Sequence, residues 1–213
     1  PHSEHTMTAD TYTTALVAAE ERCRTYIRSL PWKQDETRDE VEIFLSPVSG
    51  SKFNAVLGKG LISSPIDRVM ESINNLELSR EEGEKLDQDV KYRHVLETLD
   101  NEGLVLYMEM GGSKIVKARS FVIARSVKRE DSGVIRVTHT TVEHPDAPLN
   151  PKAFVRGTVY SQQFVLETTE GGTNVTYITH SSPEGRIPAG LYNKLLKNQA
   201  MTIDRIRQDI VKA

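Results

Sequence analysis

The run from Phe121 to Lys128 is apolar apart from one cation that keeps step with its apolar members. Arg125 shares the parity of Phe121 and Ile123. Successive strand side chains point to opposite faces, so this spacing aims a guanidinium wherever Phe121 and Ile123 point. A buried arginine requires a carboxylate or a ligand. Glu109, near the end of the preceding apolar run, is the candidate partner, at opposite parity to Met108, so the pairing needs a bend or bulge. His139, Glu143, His144 and His180 are residue types of a metal site. His139 and His144 differ in strand parity, however, and no His-Glu-x-x-His occurs, so they read as structural. Cys23 lies in a helical stretch with no histidine nearby, and no Gly-x-Ser-x-Gly elbow is present. Gly111-Gly112-Ser113-Lys114 lacks the spacing of a phosphate loop; its glycines suit a mobile loop carrying Ile115 and Val116. No catalytic set, metal set or cofactor motif emerges.

The elements that hold these residues read as follows. Leu16, Ala19, Cys23, Tyr26, Ile27 and Leu30 recur at helical spacing over 9–30, Pro31 stops the helix, and Trp32 follows as a core anchor. Val41–Leu45 and Phe53–Ile62 alternate as strands. Ser63 or Ser64 caps a helix with Pro65 in its first turn and Ile66, Val69, Met70 and Ile73 as its buried stripe. Ser79-Arg80-Glu81-Glu82 opens a short turn. From 90 to 181 the chain reads as strands, at 90–99, 104–110, 121–128, 134–142, 154–168 and 174–180. Asp/Asn/Gly turns at Asp100–Gly103, Asp131–Gly133 and Glu170–Gly172 join neighbours in antiparallel fashion. A long helix over 188–211 ends the chain, with Leu191, Leu195, Ile203, Ile206 and Ile210 on one face. This order predicts an α+β fold: a curved antiparallel sheet with one long helix across its concave side and a cavity between them.

Composition narrows the function classes. With 213 residues, 38% hydrophobic and 27% charged, the chain can bury a substantial core as one domain over 9–213; the polar residues 1–8 read as an end outside the fold. A net charge of −3 gives no footprint for nucleic acid and no polybasic anchor for an anionic membrane. A lone cysteine makes no internal disulfide, no run approaches a bilayer span, and the first residues lack a signal-peptide core. The expected setting is cytoplasmic, with transient contact at membranes. Asn174-Val175-Thr176 matches a glycosylation sequon by chance.

Several motifs occur in order. Val142-Glu143-His144-Pro145-Asp146-Ala147-Pro148 precedes Phe154-Val155-Arg156-Gly157; then come Val175-Thr176-Tyr177-Ile178 and Gly185-Arg186-Ile187-Pro188. Together they resemble the START family (steroidogenic acute regulatory protein-related lipid transfer) patterns V-x-H-P-x-x-P, F-V-R-G, V-T-Y-I and G-x-I-P. Lys117-Ala118-Arg119-Ser120-Phe121 stands where the family has S-P-R-D-F, and Lys85-Leu86-Asp87 where it has x-W-D. The missing tryptophan, proline and aspartate mark a diverged member. The resemblance implies a helix-grip fold whose C-terminal helix is the lid, with the loop before Arg119 at the mouth. It also implies one sterol or phospholipid inside, and a buried arginine that falls on Arg125.

A lipid exposed to water is disfavoured by about 0.8 kcal/mol per CH₂, so a carrier must enclose it. Leu106, Met108, Phe121, Ile123, Val137, Phe164, Tyr177, Leu191, Leu195 and Ile203 are the candidate lining, with Glu109 and Arg125 at the polar end. The alternative for each apolar residue is a dry core. Arg156 reads as a fold residue that pairs with a carboxylate or carbonyl at a sheet end. A lid or mouth loop that opens at a membrane would load the lipid without chemistry. Two other readings remain: an enzyme on the same scaffold, using Glu109, His139, His180 or Tyr177, and a sensor that holds lipid without transferring it. An aromatic cage for choline is disfavoured, since Trp32 is the only tryptophan.

Overall fold

The computed structural model describes residues 9–78, 90–112 and 116–212. The expected end at 1–8, the turn at Ser79, the Lys85-Leu86-Asp87 stretch and the 113–115 part of the glycine loop lie outside the described residues. In chain order the elements are α1 (Ala9–Ser29), β1 (Lys33–Arg38), β2 (Val41–Ser46), β3 (Ala55–Ile62), α2 (Ile66–Leu78), β4 (Val90–Thr98), β5 (Leu104–Met110), β6 (Arg119–Arg129), β7 (Ile135–Thr141), β8 (Val155–Arg156), β9 (Thr158–Thr169) and β10 (Gly172–Ser182). The final helical region is three pieces, α3 (Ala189–Leu195), α4 (Lys197–Ala200) and α5 (Thr202–Lys212).

One sheet takes every strand, in the order β1-β2-β3-β10-β9-β7-β6-β5-β4, all antiparallel, with the short β8 paired parallel to the start of β6. The expected strand over 154–168 is therefore two, split at Gly157. A Cβ there would lie 2.3 Å from the Phe121 ring, so this position must stay bare for the ring to cross the backbone. β1 was not legible beforehand. Its sequence, Lys-Gln-Asp-Glu-Thr-Arg, has no apolar alternation, and it forms because β2 offers a free edge. The β1–β2 connection, Asp39-Glu40, and the β4–β5 connection at Asn101-Glu102 each place two successive residues at positive φ, the turn that matches strand twist.

The sheet bends so that its two faces bury different things. On the concave face, Val41, Ile43, Val56, Ile135, Val137, Phe164, Leu166, Val175 and Tyr177 pack against Val69, Met70, Ile73 and Leu76 of α2 and Leu196, Ala200, Ile203 and Ile206 of the C-terminal helices. Gly58 lets the helix descend onto β3: a Cβ there would stand 3.0 Å from that of Ala200. On the convex face, α1 buries Tyr12 and Leu16 against Val105, Val122 and Ala124, and Cys23 against Leu57 and Ile178. Trp32 belongs to this outer cluster, its indole N–H donating to the Tyr26 carbonyl at 3.0 Å. Among the described residues no helix is long and apolar enough to cross a membrane.

Candidate functional site

The concave face has a second, smaller apolar group. Phe121 and Ile123 of β6 pack with Val159 of β9 and with Met108 and Met110 of β5. Leu106 stands buried opposite Ile123 in register. This group lies at the end of β6 that adjoins the glycine loop, whereas Val127, two residues beyond Arg125, belongs to the helix-covered core. Between the two groups runs a polar band.

Arg125 is its centre. Only 1% of it is exposed. Its Nε lies 2.7 Å from Oε2 of Glu77, near the end of α2. One Nη donates to Oδ1 of Asn74 at 2.5 Å, and the other to the Glu102 carbonyl at 3.1 Å, in the tight β4–β5 turn. His139 of β7 is the direct neighbour of Arg125 in register, and its Nε2 lies 2.9 Å from the other Glu77 oxygen. The Gln162 amide approaches His139 Nδ1 at 3.5 Å, and Gln162 Oε1 accepts from the Tyr177 hydroxyl at 3.0 Å. The chain of groups thus crosses five elements: α2, β6, β7, β9 and β10. Burial pushes the Glu77 carboxyl up, but His139 and Arg125 together outweigh it and hold the group down at about 2. Burial raises the Tyr177 phenol above its ordinary range.

The expected partner of Arg125 is therefore corrected. Glu109 pairs with Ser120 in register and accepts from the Tyr107 hydroxyl at 2.9 Å, and Tyr107 packs with the α1 cluster outside the sheet. Strand alternation carries Glu109 to the convex face, with no bulge between β5 and β6 to reverse it. Leu191 and Leu195 are corrected too: they are 44% and 51% exposed. At 3.6 residues per turn, Tyr192 and Leu196 share the azimuth of Ile203, while Leu195 and Leu191 fall roughly 80° and 120° away. Breaks at Leu196 and Met201 also divide the expected continuous helix. Of the remaining candidates, Leu106, Met108, Phe121 and Ile123 gather at the loop end, while Val137, Phe164, Tyr177 and Ile203 pack in the helix-covered core.

Arg119 ties the loop end together. Its guanidinium donates to the carbonyls of Lys117, Pro183 and Glu184, so the start of β6 holds the segment leading into α3. Arg156 behaves as read: it donates to the Ala147 carbonyl at 3.0 Å and to Ser120 Oγ at 3.0 Å. His144 stacks on Tyr12 and lies 3.3 Å from Glu97. No cluster of three metal-ligating side chains occurs among the described residues.

Glu77, Asn74 and Gln162 were missed. The Asp131–Gly133 turn could have found His139: counting outward from Ser132 sets it opposite Arg125. For Glu77, which reaches the site from a helix nearly fifty positions earlier, there is no local signal.

The family model that matches the chain is the START domain, over residues 32–212. Among solved structures, the human StAR-related lipid transfer protein 5 superposes with a TM-score of 0.81 at 21% identity, covering 96% of this chain and 99% of that one. A STAR-related lipid transfer protein from Xanthomonas axonopodis has a TM-score of 0.70 at 23% identity, covering 84% of this chain and 98% of that one. The human StarD13 lipid transfer and protein localization domain follows at 0.71 and 22% identity, covering 90% and 94%. No curated protein matches the sequence. These structures share the sheet-and-helix architecture described above, and the family match spans all but the first helix: the chain belongs to the START domain family, a lipid-binding domain.

Proposed function

We propose that the chain carries one sterol or phospholipid at the loop end of its concave face, lined by Leu106, Met108, Phe121 and Ile123 and covered by the C-terminal helices. The observation that carries this reading is the segregation of the inner face. An apolar group at the loop end is separated from the core that α2 and α5 already fill by a polar band in which Arg125 and His139 are buried and Glu77, Asn74 and Gln162 half-buried. A lipid needs that pairing of apolar walls with a few polar groups at one end. Arg125 serves the lipid's polar end from within an ion pair, through water or through the outer edge of the band. Both ring nitrogens of His139 face protein groups, which favours a binding floor over a proton-transferring residue.

Loading is passive. The segment around Gly111 and Gly112 and the helix after Pro188 move at a membrane, and lipid slides in. Leu191, Leu195 and the 72%-exposed Leu149 supply apolar contact there. The test is transfer between donor and acceptor liposomes, with fluorescent sterol and fluorescent phospholipids side by side. Ile123→Trp fills the lining without touching an ion pair and is expected to cut transfer of the preferred lipid about tenfold, as is truncation at Pro188. Acceleration of no lipid by the intact chain, or full transfer by the truncated one, overturns the reading.

A further inference from the structure

A pocket on the convex face has no part in this. It holds about 540 Å³ between α1, the β2–β3 connection and the start of β9 and end of β10. A β-bulge makes it: the β10–β9 register slips between His180 and Ser181, leaving Tyr160 as the extra residue on β9. The displaced Tyr160 carbonyl accepts from Arg22 at 2.5 Å. Arg22 and Tyr26, one helical turn apart on α1, both face in. The His180 ring forms the floor, 4.7 Å from the Tyr160 ring and 5.8 Å from that of Tyr26, with Nε2 3.1 Å from Ser51 Oγ. From the β2–β3 connection, Lys52 lines the opposite wall, its ammonium over the Phe53 ring.

The charges here are unbalanced. Two cations, Arg22 and Lys52, line one pocket, and neither has a carboxylate within ion-pair distance among the described residues. In the sheet, Arg125, Arg129 and Arg136 each have one, and Arg119 and Arg156, which do not, are held by backbone carbonyls. The Arg22 charge reaches its neighbours: after burial, it is the next cause holding the His180 imidazole down at about 4. The walls also carry hydroxyl donors, Ser49, Ser51 and Ser182, and one acceptor at the rim, Glu184. The pocket is within the size range of small-molecule sites.

We propose that this pocket is a second binding site, for an organic phosphate whose body carries hydroxyl groups. The phosphate meets Arg22, Lys52 and the serine hydroxyls, and the body lies on the tyrosine rings with a donor towards Glu184. Such a phosphate comes either from a lipid headgroup or from a soluble ester. The site stands whether or not the concave face holds lipid.

The His180 ring resonances read the site directly. Titrating the full chain with sn-glycerol 3-phosphate is expected to shift them saturably and raise the His180 pKa, since an anion beside the ring favours its protonated form. The exposed Lys52→Gln substitution weakens that response about fivefold without altering lipid loading of the concave face. If the source is a headgroup, vesicles of phosphatidylcholine with phosphatidylinositol bind the chain in a Lys52-dependent way, and phosphatidylcholine alone does not. An equal response to inorganic phosphate means an adventitious ion only and overturns the proposal. So does silence towards both the soluble ester and the phosphatidylinositol vesicles.

Discussion

Two histidines on opposite faces of the sheet show how the fold handles charge. His139 and His180 are 3% and 5% exposed, on strands that β9 separates. His139 looks inward, and Glu77 joins it to Arg125, so the one carboxylate and the cation compensate each other without any ligand. His180 looks outward beside Arg22, which has no carboxylate partner among the described residues, and burial together with that cation drives its pKa to about 4. The inner cluster is closed as a set of charges; the outer one is open. A buried cation therefore points to a ligand only once its partners within the chain are counted. By that count the half-buried Arg22, held by one carbonyl, outranks the buried Arg125 with its carboxylate.

Breaking the inner cluster gives the largest effect. Glu77→Leu leaves the Arg125 charge buried without its carboxylate, and Arg125→Leu leaves Glu77 with His139 alone. Each is expected to destabilise the fold by about 3–5 kcal/mol, because removing one partner of a buried pair strands the other. The double variant Glu77→Leu/Arg125→Leu recovers most of that loss. Urea unfolding of the three proteins measures it. Two single losses that simply add in the double variant would mean that the pair acts as two independent groups, and the contrast with Arg22 would fail.

Acid sharpens the comparison, because the two clusters titrate in different windows. The folded pKa of His180 is below its ordinary 6.5, so neutral His180 contributes stability that is present above pH 6.5 and is lost as pH falls towards 4. The folded pKa of Glu77 is below its ordinary 4.5, so the carboxylate contributes stability that is present above 4.5 and is lost as pH falls towards 2. The second loss is on the order of 3 kcal/mol. Stability measured against pH is expected to fall in two stages. His180→Gln removes the upper stage alone and Glu77→Gln the lower. A single stage that moves with both variants would show the two faces to be coupled.

Much of this was legible in the residues because much of it is local. Alternation aimed Phe121, Ile123 and Arg125 inward together, and the Asp131–Gly133 turn fixed the β6–β7 register that sets His139 beside Arg125. The motifs from Val142 to Pro188 carried the family, which the match over 32–212 shows. What escaped depended on contacts with no sequence signature. Glu77 arrives through the packing of α2 against the sheet, and β1 exists only as an edge on β2. The phase of the first part of the last helical region was misjudged because only leucines and isoleucines were used to set it; Tyr192 and Ala200, one amphipathic and one small, mark the buried side. The outer pocket depends on a one-residue slip opposite Tyr160, invisible to alternation.

The smallest expected effect tests the open side of the comparison at its source. If the Arg22 charge is uncompensated, removing it must be felt by its neighbours. Arg22→Gln is expected to raise the His180 pKa by on the order of half a unit, because only the coulombic part of its depression disappears and burial, the larger cause, remains. Cys23 gives a matched control on the same helix. Burial pushes its thiol up to about 12 and Arg22 pulls it down, so the same substitution moves Cys23 further up. The two groups then move in the same direction, as expected when a positive charge is removed from beside a base and an acid alike. Added salt should shrink the His180 shift, since the pocket opens to solvent, while leaving the Glu77 cluster unchanged. A His180 pKa that stays at about 4 in Arg22→Gln would assign the whole depression to burial and remove the electrostatic reason for an anion to bind there.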